Sequence, residues 1–194
     1  MKRFLCALCV LVLAGFPALC EPAGDTIVTI IRAPEQTAAE RPPCFPDPTA
    51  DYIPLPETEN YALGKRVISG AHTDVYIDRN VNDGSTNTYW ESKGFPAEIT
   101  FDLDGERLIS TVVVCLNPSA IWEPRTQEIA VQISLDGETF TETVPADRYS
   151  FDAATGNRIR IDFGPVSASF VKLVFTMNSS SRTGGAQAAE IGIY

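Results

Sequence analysis

Apolar and polar residues alternate with period two from about Asn60 to the C-terminus, in short runs separated by turn residues, and this restricts the chain to antiparallel β-structure. Ile99, Phe101 and Leu103 form one such run, and Ile129, Val131, Ile133 and Leu135 form a second that leads into Asp136-Gly137. Ile159, Ile161 and Phe163 follow Gly156-Asn157, and Val171, Leu173, Phe175 and Met177 follow Gly164-Pro165. Each run buries one face and leaves the other to water. The stretch LISTVVVCL (108–116) is apolar on both faces and reads as a central strand. No window has a helical period of useful length, and there is no internal repeat or heptad. The predicted fold class is therefore all-β, an antiparallel β-sandwich of jelly-roll type spanning residues 59–194. With 44% hydrophobic residues in 194, one core is expected.

The segments ahead of that domain have other textures. Residues 1–20, MKRFLCALCVLVLAGFPALC, start with Lys2 and Arg3, continue through an apolar run and end in small residues, the layout of a secretory signal peptide. The run is too short for a comfortable membrane span. Cleavage is expected after Cys20, giving a secreted protein; a lipoprotein anchored at Cys20 is the alternative, which Leu19 suits poorly. Residues 21–58 hold eight of the 14 prolines and read as an extended linker, with DTIVTIIR (25–32) as a candidate extra strand.

Removing the signal leaves 13 basic against 25 acidic residues, a net charge of −12. Such a chain repels nucleic acid and anionic membranes, so no nucleic-acid partner and no membrane insertion after cleavage are expected. Outside the signal only Cys44 and Cys115 remain: either they pair in an oxidising compartment, or Cys115 is a buried hydrophobe and Cys44 is free. With a single histidine, no GxSxG and no CxxC beyond residue 20, the sequence carries no catalytic signature, and no enzyme activity is expected.

VNDGSTNTYWES (81–92) raises a sharper question, since a polar turn runs directly into Tyr89-Trp90. A hard cation such as Ca²⁺ takes several oxygens from carboxylates, carbonyls and hydroxyls. Asp83, Ser85 and Thr88 supply such oxygens close together, and Gly84 allows the sharp turn between them. A second carboxylate has to come from elsewhere, and Glu190 in QAAEIGIY supplies it if the two ends of the sandwich are neighbours. The plain alternative is an Asp-Gly turn followed by a core tryptophan.

Taken in order, NYALGKRVISG (60–70), NVNDGSTNTYWES (80–92), RTQEIAVQISLDGETF (125–140), FVKLVFT (170–176) and AAEIGIY (188–194) resemble the discoidin, or coagulation-factor type C, family. Its bacterial members include galactose-binding-like carbohydrate-binding modules. The resemblance implies an eight-stranded jelly roll with a structural Ca²⁺. The ligands it implies are the carbonyls of Asn80, Ser85 and Ala189, the carboxylates of Asp83 and Glu190, and both oxygens of Thr88. Trp90 is then a core residue beneath the loop.

Sugar recognition pairs an aromatic face with hydrogen-bonding side chains in a preformed site. Trp122, between Pro118 and Pro124 in NPSAIWEPRT, is either a loop anchor or such a stacking platform, and the planar fork of Arg125 suits paired hydroxyls. The resemblance adds His72, in SGAHTDVY, and Asn178 would complete the rim. The last long loop, SSSRTGG (179–185), lacks the aromatic that similar modules carry there, and Arg182 is its one substitute. The expected function is a secreted, non-catalytic module that binds a cell-wall or plant polysaccharide, with a separate glycoside hydrolase or surface protein as a further partner. An extracellular adhesion or protein-interaction module is the alternative.

Overall fold

A computed structural model describes residues 52–194. The expectations for residues 1–20, for a strand at 25–32 and for Cys44 lie outside the described residues. The elements are β1 (Val67–Ser69), β2 (Trp90–Glu91), β3 (Ala97–Cys115), β4 (Arg125–Ser134), β5 (Thr141–Phe151), β6 (Arg158–Asn178), β7 (Gln187–Ala188) and β8 (Glu190–Ile193), with short 3₁₀ turns at Asp78–Val81, Ala120–Trp122 and Ala153–Thr155. All pairings are antiparallel. The fold is the β-sandwich that the alternation predicts.

Two long strands, β3 and β6, organise it. Their halves Ala97–Asp102 and Phe170–Phe175 pair with each other, with β1 added beyond β3 and with β4 and β5 added beyond β6. Their other halves pair from Arg107 to Cys115 and from Arg158 to Ala168, and here β8 lies on the far side of β3. The register shifts between Asp102 and Arg107, where Asp104 (φ 57°) and Gly105 (φ 114°) turn the chain. Both φ values favour Asp and Gly over bulkier residues, so the DG pair marks the corner.

The two halves close over one core. Ile99, Phe101, Leu103, Leu173 and Phe175 from one half meet Val112, Val114, Ile159, Ile161, Ile191 and Ile193 from the other. Burying each such side chain stabilises by roughly 1.5–3 kcal/mol. In the central strand Val113 and Cys115 are buried on the opposite face as well. Cys115 is a free, buried thiol. The alternation misreads the run ends: Leu108 is 66% exposed and Leu135 is 59% exposed, because each lies where its strand enters or leaves a turn. Residues 52–58, which the sequence assigns to the linker, touch the domain: Arg158 Nη1 donates to the Ile53 carbonyl at 2.6 Å.

The β4–β5 turn is held by Asp136, whose Oδ1 accepts from Glu138 N and Thr139 N, each at 2.8 Å, and from the Ser134 hydroxyl at 2.8 Å. These donors, the Thr139 amide foremost, hold the Asp136 carboxyl well below the usual carboxylate range. A depressed folded-state pKa contributes stability above the ordinary pKa and loses it as pH falls. Asp136 is therefore expected to stay ionised at about pH 3 by carboxyl NMR. Asp136→Asn should lower Tm at neutral pH, with a deficit that narrows below about pH 4. A deficit independent of pH would contradict this account of the turn.

Candidate functional site

Pairing of β2 with β7 sets Trp90 opposite Ala188 and Glu91 opposite Gln187, and so brings the loop before β2 beside the segment leading into β8. The two distant acids meet there. Glu190 Oε2 accepts from Gly84 N at 3.2 Å, while Asp83 accepts from Ser85 N at 2.8 Å and from the Thr88 hydroxyl at 2.6 Å. The same hydroxyl lies 3.2 Å from the Ser85 carbonyl. Asn80 closes the base of the loop by donating from Nδ2 to the Tyr89 carbonyl at 2.8 Å. Ala189, between β7 and β8, donates its N–H to the Cys115 carbonyl at 2.7 Å. The six residues expected as ligands thus lie on or beside one loop.

Burial raises the Glu190 carboxyl to about 8, with the negative charge of Asp83 adding to the rise and the amides of Gly84 and Ser85 opposing it. Two carboxylates held together with hydroxyl and carbonyl oxygens are a donor set for a hard cation such as Ca²⁺. The described residues contain no cluster of three or more His, Cys, Asp or Glu suited to a metal.

Tyr89, Trp90 and Glu91 continue the alternation: Trp90 is 1% exposed and packs 5.7 Å from Phe175, while its neighbours turn outward. Tyr89, Glu91, Ile121, Trp122, Arg125, Arg182 and Gln187 line an open cleft of about 250 Å³. Trp122 ends a 3₁₀ turn whose N-cap, Ser119, accepts from Ile121 N. Its ring stands perpendicular to that of Tyr89, centroids 4.7 Å apart, and Tyr89 stacks on Tyr76 at 4.1 Å. Burial, then a hydrogen bond to Tyr76, raises the Tyr89 hydroxyl, which stays neutral. Trp122 is also partly packed on the core, so its roles as loop anchor and as cleft wall coexist.

Arg125 is 7% exposed, with Cζ 5.1 Å from the centre of the Trp122 ring. Its Nε donates to the Glu123 carbonyl and its Nη1 to Gln187 Oε1, and Gln187 in turn donates to Glu91 Oε2 at 2.7 Å. Burial lowers the Arg125 pKa, with Arg182 lowering it further and Glu123 opposing. On the facing loop, Arg182 Nη2 donates to Glu123 Oε1 at 2.6 Å.

The structure brings Trp122 and Arg125 together and leaves His72 and Asn178 outside the lining of this cleft. His72 forms a bridge pair with Ser92, and its Nδ1–H donates to the Asp74 carbonyl at 3.1 Å. Asn178 spends its amide on its own loop, donating to the Gly185 carbonyl and accepting from Ser180 N. It thereby shapes the loop that carries Arg182. Sequence reasoning missed Tyr89, Glu91 and Gln187 as cleft residues. Extending the alternation outward from Trp90 would have found the first two, whereas no local pattern marks Gln187.

The NedA-like, galactose-binding domain family of F5/F8 type C matches residues 80–173. No curated protein matches the sequence. Among solved structures, the CBM32 module of AlyQ in complex with 4,5-unsaturated mannuronic acid superposes with TM-score 0.58 at 22% identity, over 71% of this chain and 98% of that one. A pectin-binding carbohydrate-binding module superposes with TM-score 0.56 at 21% identity, over 66% and 88%. A Clostridium perfringens CBM32 module in complex with GalNAc-β-1,3-galactose gives TM-score 0.56 at 20% identity, over 70% and 99%. The described domain thus has a galactose-binding-like β-sandwich fold, and its residues 80–173 are similar to the NedA-like, galactose-binding domains of F5/F8 type C.

Proposed function

We propose that this chain is a secreted, non-catalytic carbohydrate-binding module that takes a polysaccharide or glycan in the cleft of Trp122 and Tyr89, with a structural Ca²⁺ at Asp83 and Glu190. The cleft carries the reading: an aromatic wall beside a buried guanidinium on a strand is the combination that saccharide recognition requires. The similar modules bind, by their descriptions, mannuronic acid, pectin and GalNAc-β-1,3-galactose, so the fold leaves the sugar open. Among the described residues no helix is long and apolar enough to cross a membrane, and the signal-like residues 1–20 support export.

Calcium would be held by the carboxylates of Asp83 and Glu190, the carbonyls of Asn80, Ser85 and Ala189 and both oxygens of Thr88. The ion supplies charge neutralisation and a fixed loop, not chemistry on a substrate. Asn117 ties that loop to the cleft, because its Nδ2 donates to the Thr86 carbonyl at 2.9 Å while Ser119, the cap of the Trp122 turn, donates its N–H to Asn117 Oδ1 at 2.9 Å. A separate glycoside hydrolase or surface protein is the natural partner of a module without a catalytic site. Calorimetric titration of polysaccharides and simple sugars with Ca²⁺ present is expected to give saturable binding to at least one class. Silence across a broad panel, with a protein partner responding instead, would replace this reading by an adhesion module.

A further inference from the structure

The charges of the cleft point to more than a neutral sugar. Arg125 is nearly buried, yet its hydrogen-bond acceptors are a backbone carbonyl and an amide oxygen, both neutral. It belongs to none of the ion pairs among the described residues. Buried charges are ordinarily paired, because desolvating a cation without a counter-ion is costly. The carboxylate of Glu91 is reached only through Gln187, and that of Glu123 is engaged by Arg182. Arg182 lines the same cleft from the facing loop, with its side chain 64% exposed. Two guanidinium groups thus face one opening: Glu123 neutralises Arg182 and acts on Arg125 at longer range, while Arg125 itself has no carboxylate in direct contact. A planar carboxylate matches the guanidinium fork in a bidentate way that a sugar hydroxyl does not.

We propose that the cleft selects an acidic saccharide, a uronate, whose carboxylate sits between Arg125 and Arg182 while a ring of the chain lies against Trp122. This assignment rests on the carbohydrate reading above and specifies its substrate class. The overall acidity of the protein, net −10 for the full sequence, means that recognition comes from this local pair and not from long-range attraction.

The test is a set of calorimetric titrations with trisaccharides of galacturonate, mannuronate and glucuronate, each beside its methyl ester, together with a neutral galactose trisaccharide and a short poly-glutamate peptide. At least one uronate is expected to bind about tenfold more tightly than its ester, as charge-assisted hydrogen bonds replace neutral ones. Arg182→Gln, a change at an exposed loop position that the fold tolerates, should bring the acid down to the affinity of the ester. Equal affinity for acid and ester, or an acid preference that survives Arg182→Gln, overturns the uronate assignment while leaving the carbohydrate reading in place. Binding of the peptide as tightly as the uronates overturns it in favour of an acidic protein ligand. Failure of every saccharide removes both.

Discussion

Trp122→Ala is expected to weaken glycan binding by about 30- to 100-fold, or ~2–3 kcal/mol, the scale of an aromatic hot spot in a recognition site. The indole is the largest side chain lining the cleft, and two contacts fix its orientation, one of them backed by a further ring. Tyr89 holds it perpendicular, Tyr76 backs Tyr89, and the Arg125 guanidinium lies 5.1 Å from its centre. A sugar ring that meets a pre-oriented platform loses little side-chain freedom on binding, so most of the contact energy appears as affinity. Removing the indole also takes away part of its packing on the core and the cation–π contact with Arg125. A concurrent loss of about 1–2 kcal/mol of stability is therefore expected, measurable by denaturant titration. Trp122→Phe should retain part of both quantities. An affinity change below about threefold in the alanine variant, in protein shown to be folded, would contradict the assignment of the cleft.

The second large effect concerns the loop. Calcium at about 100 times its Kd should stabilise the domain by ~2.7 kcal/mol. Chelation is then expected to lower Tm by about 10 °C in calorimetry for a domain of this size. Glu190→Gln supplies a sharper test because its sign should reverse. In Ca²⁺ the variant loses a ligand and is less stable than wild type. In chelator it removes a half-buried carboxyl that burial and Asp83 push up to about 8, and it should be as stable as wild type or more so above neutral pH. The sign follows from linkage: a carboxyl raised above its unfolded value favours the folded state while protonated, so the chelated wild type should lose stability as pH rises from about 4.5 through 8. A Tm indifferent to chelator, or a Glu190→Gln variant destabilised equally with and without Ca²⁺, would show that this carboxylate is an ordinary member of the loop.

The parts of the structure that could be read from the chain share a cause. Ile99, Phe101 and Leu103, or Val171, Leu173 and Phe175, repeat with the pleat of a strand, and each such set is fully buried. Residues 112–116 are buried on both faces, which is what a run apolar at every position, rather than at alternate ones, requires. Leu108 and Leu135 escape because alternation does not state where a strand ends. The meeting of Asp83 with Glu190 was legible only through the order of motifs along the chain, as nothing local to either acid names the other. Arg125 and Trp122 lie three residues apart and could be paired by inspection. Gln187 and Arg182 reach the same cleft through the β2–β7 pairing and the loop before β7, which are tertiary facts. Asn178 lies outside the cleft lining for a related reason: at a strand end, an amide can close its own loop as readily as it can face a ligand.

The sequence contains two tryptophans, one in the core and one in the cleft, so the indole N–H region of a ¹⁵N–¹H NMR spectrum holds a reporter and an internal control. Titration with a saccharide that calorimetry shows to bind should move the Trp122 indole resonance progressively and leave that of Trp90 in place. Saturable binding with the Trp122 signal unmoved would place the sugar elsewhere on the molecule and contradict the account.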